Sequence, residues 1–373
     1  MLLRALLLSG LFMVGCARES APTRVAELEI EQVEKVAFGP DSHWLVAGNA
    51  KGQVAVFDST GHKKASPLDV KGMVSAVAVA LGKLAVSGAL EPTVLVWDVN
   101  KGSSLGQFTA GQLAVASREI THHAIVWVHA SGGTSNETKA LVGGREGGNV
   151  NFLAFGAGGR LLVNDAHGQL SWWDEAGLKR VGQLPQASKN YGFGHAALSP
   201  DGTRVAASGY GSSEVSSFEL AKGNRLFRWP GLENVSDLAY SPDGSTLAMS
   251  ARGGVYLADS TSGASLAKLE GGFQRIVFRP DGQWLAGSGN ESGLWDVKTQ
   301  SQLYKGYNRD IAFVGNSGRI FSLQEDQAVL YDVAAKKSLA EIKGDFQRVI
   351  VSPDGKLAVL TPRRGKPQLW SIP

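Results

Sequence analysis

An all-β fold, a closed ring of four-stranded antiparallel blades, is what this sequence predicts, and two recurrences and one spacing predict it. The first recurrence is a turn between two apolar strands. It reads "FGPDSHWLVAG" (38–48), "LSPDGTRVAAS" (198–208), "YSPDGSTLAMS" (240–250), "FRPDGQWLAGS" (278–288) and "VSPDGKLAVLT" (351–361). The second is a strand that ends on an aromatic and an acid: "VAVFD" (54–58), "VLVWD" (94–98), "LSWWD" (170–174), "SGLWD" (292–296) and "AVLYD" (328–332), with weaker versions at 215–219, 255–259 and 367–371. The spacing from one unit to the next is about 40 residues, the period of a propeller blade.

Each part has a reason. In the turn, Pro sets φ for the second position, Asp hydrogen-bonds the local backbone and Gly accepts a positive φ. The strands on either side are therefore joined as an antiparallel hairpin. The aromatic strand follows as the third, and a short fourth, such as "SLAKLE" (265–270), precedes the next copy. A single blade cannot bury both of its faces, whereas a ring of blades buries each face against a neighbour.

First strands centre near Val36, Val77, Val115, Leu153, Ala197, Leu238, Val277, Ala312 and Ile350, nine repeats at spacings of 35 to 44 residues. The third repeat is the poorest, with no Pro-Asp-Gly and no room for a fourth strand. Nine blades are expected, with eight as the alternative if the third repeat is divided between its neighbours. The last repeat stops at its third strand, and "AELEI" (26–30), within 25–31, is expected to supply the fourth and close the ring.

These turns and the Trp-Asp strand ends resemble the WD40 family, and the resemblance covers residues 25–373. It implies a propeller and, for function, a binding platform. The Gly-His dipeptide that precedes the first strand in that family is mostly missing, so the buried histidine network is not expected here.

The first fifteen residues, "MLLRALLLSGLFMVG", stand apart: one basic residue, Arg4, precedes a short apolar run. The run has the layout of an export signal rather than a span. Its end, "MVGC", resembles the lipobox of bacterial lipoproteins, with Gly15 before the cut and Cys16, the chain's single cysteine, after it. The resemblance implies a signal over 1–15, acylation (a palmitate) at Cys16, and a tether over 16–24. It places the protein in a bacterial envelope, membrane-bound through lipid alone. Ala17 stands where the inner-membrane retention signal of enterobacterial lipoproteins has Asp, which favours the outer membrane.

Composition excludes several classes. With Cys16 acylated there is no thiol catalysis, no cysteine-held zinc and no disulfide. Loss of Arg4 with the signal takes the formal net charge from +3 to +2, without the basic face of a nucleic-acid binder. The turn acids Asp41, Asp201, Asp243, Asp281 and Asp354 occupy separate blades, so they are expected to shape turns rather than to act in pairs. "GSSLG" (102–106) matches a nucleophile elbow at Ser104 but lacks the strand-to-helix setting that motif needs. Adjacent His122 and His123 point to opposite faces of an extended strand, and His129 alone does not complete a metal site. No cofactor and no metal are expected.

The remaining constellation is basic. "FQRIVF" (273–278), "NRDIAF" (308–313) and "FQRVIV" (346–351) start three successive blades, putting Arg275, Arg309 and Arg348 at one corresponding place near the channel rim. Loops on the same face carry Arg252, Asn290, Glu325, Asp326, Arg363 and Arg364. Such arginines bind an acidic partner or anion through bidentate contacts, unless Asp310, Asp345 and Glu325 pair with them internally. The expected function is a non-enzymatic, monomeric, lipid-anchored platform for a protein or cell-envelope partner. The alternative is an enzyme or small-molecule binder at the mouth of the channel.

Overall fold

The structure is a computed structural model that describes residues 21–80, 82–90, 93–109, 150–156, 160–165, 169–174, 179–184, 193–209, 213–289 and 291–373. Among them lie eight four-stranded antiparallel sheets. Their innermost strands are, in order, Val33–Phe38, Val74–Ala80, Val150–Gly156, Phe193–Leu198, Asp237–Tyr240, Arg275–Phe278, Asp310–Phe313 and Phe346–Val351, and they number the blades one to eight.

The inner three strands of a blade serve two seams. In blade one, Val36, Phe38, Leu45 and Phe57 pack towards blade eight, while Ala37, Trp44, Val46 and Val56 pack towards blade two. Alternate residues of a strand point to opposite faces. Because both faces are covered, the central strands read as continuous apolar runs rather than alternating ones. Eight buried clusters among the described residues fill the eight seams, so the ring closes on itself.

The count is therefore eight, the alternative expected if the third repeat does not stand as a blade of its own, rather than nine. Blades two and three share one core: Ala78, Val94 and Val96 meet Leu153, Leu161 and Trp173. Phe108 of blade two stacks on Trp173 of blade three with ring centroids 4.2 Å apart. With that seam filled, no blade stands between them. The third expected repeat, with His122, His123 and His129, lies outside the described residues.

Closure uses Thr23–Glu27, which pairs with Gln368–Ser371 as the outer strand of blade eight. The strand sits three residues earlier than the expected 26–30. Leu28 and Ile30 are instead buried in the seam between blades eight and one, where they pack beside Val359 and Leu369. Their alternation is the alternation of a strand, but it is spent on the passage into the first inner strand. Pairing of the outer strands continues through a register shift in every blade; Leu226 and Leu266, for example, stand out of register beside Phe218 and Ala258. Such bulges twist an exposed edge away from flat, self-pairing geometry.

The Pro-Asp-Gly turns behave as their residues require. Ser241 Oγ donates to Asp243 Oδ1 at 2.5 Å, Asp243 Oδ1 accepts the Ser245 N–H at 3.0 Å, and Ser241 Oγ accepts the Thr246 N–H at 2.9 Å. The same three bonds recur around Asp201 and Asp354. These contacts, the Ser241 hydroxyl foremost, hold the Asp243 carboxyl below the usual carboxylate range. Gly244 sits at φ 73°, and in blade one Ser42 takes the equivalent left-handed place at φ 62°. The recurrent acids are turn-formers, one to a blade.

Candidate binding site at the channel

All inner strands start on one face of the ring, the entry face, and end at the hairpin turns on the other, the turn face, where blades four, five, six and eight carry Pro-Asp-Gly. Strand pairing fixes which residues are equivalent along them. Lys35 pairs with Gly48, Ala76 with Ser87, Phe152 with Asn164, His195 with Ser208 and Asp237 with Ser250. Arg275 pairs with Ser288, Asp310 with Leu323 and Arg348 with Thr361. These eight residues form one ring of corresponding positions near the start of the inner strands. Arg275 and Arg348 are thus equivalent, as expected. Arg309 is not: the equivalent residue of blade seven is Asp310. One residue of slip turns a side chain to the other side of the strand, and Arg309 reaches outward to Asp345 instead.

Two acids of this ring hold blades together. Asp237 Oδ2 accepts the backbone N–H of Ile276 in blade six at 2.8 Å, and its Oδ1 accepts the Leu238 N–H at 3.0 Å. Asp310, 2% exposed, accepts Arg275 Nη1 at 2.9 Å through Oδ1 and the Val349 N–H at 3.1 Å through Oδ2. Blades six, seven and eight therefore meet at one carboxylate. Charge-assisted bonds from a buried carboxylate to a neighbouring blade are stronger than neutral ones and fix blade order.

The cations are less evenly matched. Arg275 donates through Nη1 to Asp310, while its Nε is buried without an acceptor. Arg348 donates from Nη1 to the Glu34 carbonyl oxygen of blade one at 3.2 Å. Burial, and then the neighbouring Arg275, lower the proton affinity of its guanidinium. Lys35 is 8% exposed and, among the described residues, makes no hydrogen bond or ion pair. Burial, with Arg348 as the next cause and Arg275 adding to it, pushes its amine down to about 8, against a smaller opposing pull from Glu34. Sequence reasoning missed Lys35 and Asp237, and marked Asp310 only as an internal partner for the arginines.

The other expected binding residues lie farther out on the entry face. Arg252 is exposed and faces Glu233 at 3.5 Å. Arg363 approaches Asp345 at 3.6 Å, so Asp345 serves two arginines, Arg309 and Arg363. Arg364 is exposed beside Arg363. Asp326 faces Lys343 at 3.9 Å, and Glu325 is exposed. Asn290 lies outside the described residues. Internal pairing of Arg275 with Asp310 and of Arg309 with Asp345 takes the alternative that the sequence left open. Tyr307, 77% exposed next to Arg309, adds an aromatic surface that the sequence reading did not mark. Ser104 lies in the outer strand Ser103–Thr109 of blade two, where its Oγ accepts the Gly106 N–H at 3.2 Å, so the elbow-like pattern is strand.

No protein-family model matches this chain, and no curated protein matches its sequence. The molecule is a β-propeller of four-stranded antiparallel blades, an architecture consistent with WD40-like repeats.

Proposed function

We propose that the protein is a non-enzymatic, lipid-anchored platform of the bacterial envelope, outer membrane favoured, that engages a protein or envelope partner through the entry face of its propeller. The observation that carries this reading is the polarity of the ring. Thr23 pairs with Ser371 at the turn-face end of blade eight, so the chain enters the ring from the turn face. The cationic residues Arg252, Arg348, Arg363 and Arg364, with the exposed Tyr307, belong to the opposite, entry face. A lipid on Cys16 and a tether of a few residues would hold the turn face towards the membrane and leave the entry face open. Arginine and tyrosine are the residue types that anchor interfaces best. An acidic partner segment suits the charge.

The test is capture from solubilised envelope with the native anchor retained, comparing the parent with a variant carrying Arg252→Gln, Arg363→Gln and Arg364→Gln. These exposed side chains contribute only about 0–1 kcal/mol each to folding, so the variant should remain folded while partner recovery falls. Equal recovery would exclude the entry face. In parallel, Cys16→Ala should leave the membrane fraction, because stable anchoring needs two or more acyl chains. A Cys16→Ala protein that stays with the membrane through a high-salt wash would exclude the anchor.

A further inference from the structure

We infer that Lys35, with Arg348 and Arg275, forms a receptor for one compact oxyanion, a phosphate- or carboxylate-type group, at the entry end of the channel. This deepens the platform reading by naming the chemistry that the axis of the entry face takes.

The argument starts from the ring of corresponding positions. Its acids occur at blades five and seven, as Asp237 and Asp310, and both have their oxygens committed to backbone N–H groups or to Arg275. Its cations occur at blades six, eight and one. Lys35 is flanked in the ring by Arg348 on one side and by Ala76 on the other, so neither neighbouring position offers it an acid. Glu34, the adjacent acid in the chain, is exposed while Lys35 is buried. Lys35 is largely buried, but its Nζ is not among the fully enclosed unpartnered atoms, so the amine borders the channel. It carries part of the desolvation cost of an unpaired buried charge and stays within reach of an ion. Here the mutual repulsion of Lys35, Arg348 and Arg275 adds to that cost.

What the arrangement lacks is a negative charge. An oxyanion at this point would accept from the Lys35 amine, gain from the field of two guanidinium groups, and offset the repulsion among all three. Arg348 is already positioned by its bond to the Glu34 carbonyl and Arg275 by its bond to Asp310, so little side-chain freedom remains to be lost on binding. The buried, acceptor-less Nε of Arg275 is a second sign of donor capacity in excess of acceptors. A cation is repelled by the same field. A neutral ligand leaves the imbalance as it was.

The test uses the detergent-solubilised full-length chain and two probes, inorganic phosphate and acetate, titrated calorimetrically at an ionic strength fixed with chloride. A saturable response to at least one probe is expected in the parent, weakened about tenfold or more in Lys35→Gln, the scale of one lost charge-assisted contact. Response to phosphate alone assigns a phosphate-type group. Response to acetate extends the site to carboxylates, an acidic side chain of a partner included. No saturable response to either probe, or equal responses in parent and variant, overturns the inference. A measurement on the unmutated chain guards against a variant that fails to fold. The Lys35 amine, followed by NMR, should titrate near 8 in chloride and higher with the bound probe; a value that neither probe moves overturns it as well. Neither experiment involves a partner, so the platform reading stands or falls separately by capture.

Discussion

Replacing Lys35 with methionine should make this protein more stable at neutral pH. The side chain is 8% exposed, and its amine is brought from 10.5 to about 8, burial being the main cause and Arg348 the next. At about 1.4 kcal/mol for each tenfold change in proton affinity, that fall corresponds to roughly 3 kcal/mol of cost for carrying the charge inside the fold. Methionine has nearly the same length and no charge, so it keeps the packing and removes the cost.

The sign fixes the pH window. Below about 8 the amine is protonated in both folded and unfolded chains, and the full penalty is present. Between about 8 and 10.5 the folded chain binds fewer protons than the unfolded one, so the stability of the parent rises with pH. Lys35→Met should therefore exceed the parent by roughly 3 kcal/mol at pH 7, with the difference shrinking towards zero as pH passes 10. Denaturant unfolding of both proteins at a series of pH values, in chloride without phosphate or carboxylate buffers, reads this directly. A variant less stable than the parent at pH 7, or a difference that does not change with pH, would refute the reasoning and mean that Lys35 has a partner in the fold.

Three other substitutions and one deletion follow from the same geometry. Asp310→Asn should cost about 2 kcal/mol in denaturant unfolding, because it takes the charge from a buried carboxylate that accepts from the half-buried Arg275 and from the Val349 N–H. Arg309→Gln should change stability by no more than about 1 kcal/mol, since its partner Asp345 is 55% exposed; a cost as large as that of Asp310→Asn would invalidate the register assignment. Trp173→Ala should cost about 3–5 kcal/mol through the cavity it leaves against Phe108, and a neutral result would contradict a direct seam between blades two and three. Deleting 21–27 should expose the Gln368–Ser371 edge and lower the melting temperature or cause aggregation. Melting like the parent would show that the ring does not depend on that strand.

The architecture was legible because the turn writes itself into the sequence. Pro-Asp-Gly demands particular residues at particular places, and Gly202, Gly244, Gly282 and Gly355 all take the left-handed φ it implies. The blade count was not, because "QLAVASREITHH" (112–123) has the composition of a strand but lacks the turn. Apolar composition alone does not establish a blade; a blade needs a seam on each side, and seams are long-range contacts that no local pattern states. The closing strand slipped for a related reason. Ala26, Leu28 and Ile30 alternate as a strand does, and only the packing against Val359 and Leu369 shows that Leu28 and Ile30 fill a seam instead.

The site was readable from the correct origin. Counting from the "FQR" and "NRD" starts aligned Arg309 with Arg275 and Arg348. The residue just before the turn, in Phe38, Leu198, Tyr240, Phe278, Phe313 and Val351, is the fixed point, since hairpin register is set by the turn. Three residues back from it stand Lys35, His195, Asp237, Arg275, Asp310 and Arg348. Seen in that order the ring is charge-patterned rather than merely basic: the acids at blades five and seven bond to the inner strands that follow them, Arg275 lies between those acids, and Arg348 and Lys35 stand where no acid follows. The Asp237 and Asp310 contacts would stabilise any propeller. Burial and Arg348 work against the charge of Lys35 with no acid beside it in the ring to offset them, and an anion at that point would relieve both. That asymmetry, stabilising carboxylates on one arc and an unmatched ammonium on the other, is why the channel's entry, more than the exposed arginines around it, is where this ring should recognise an anion.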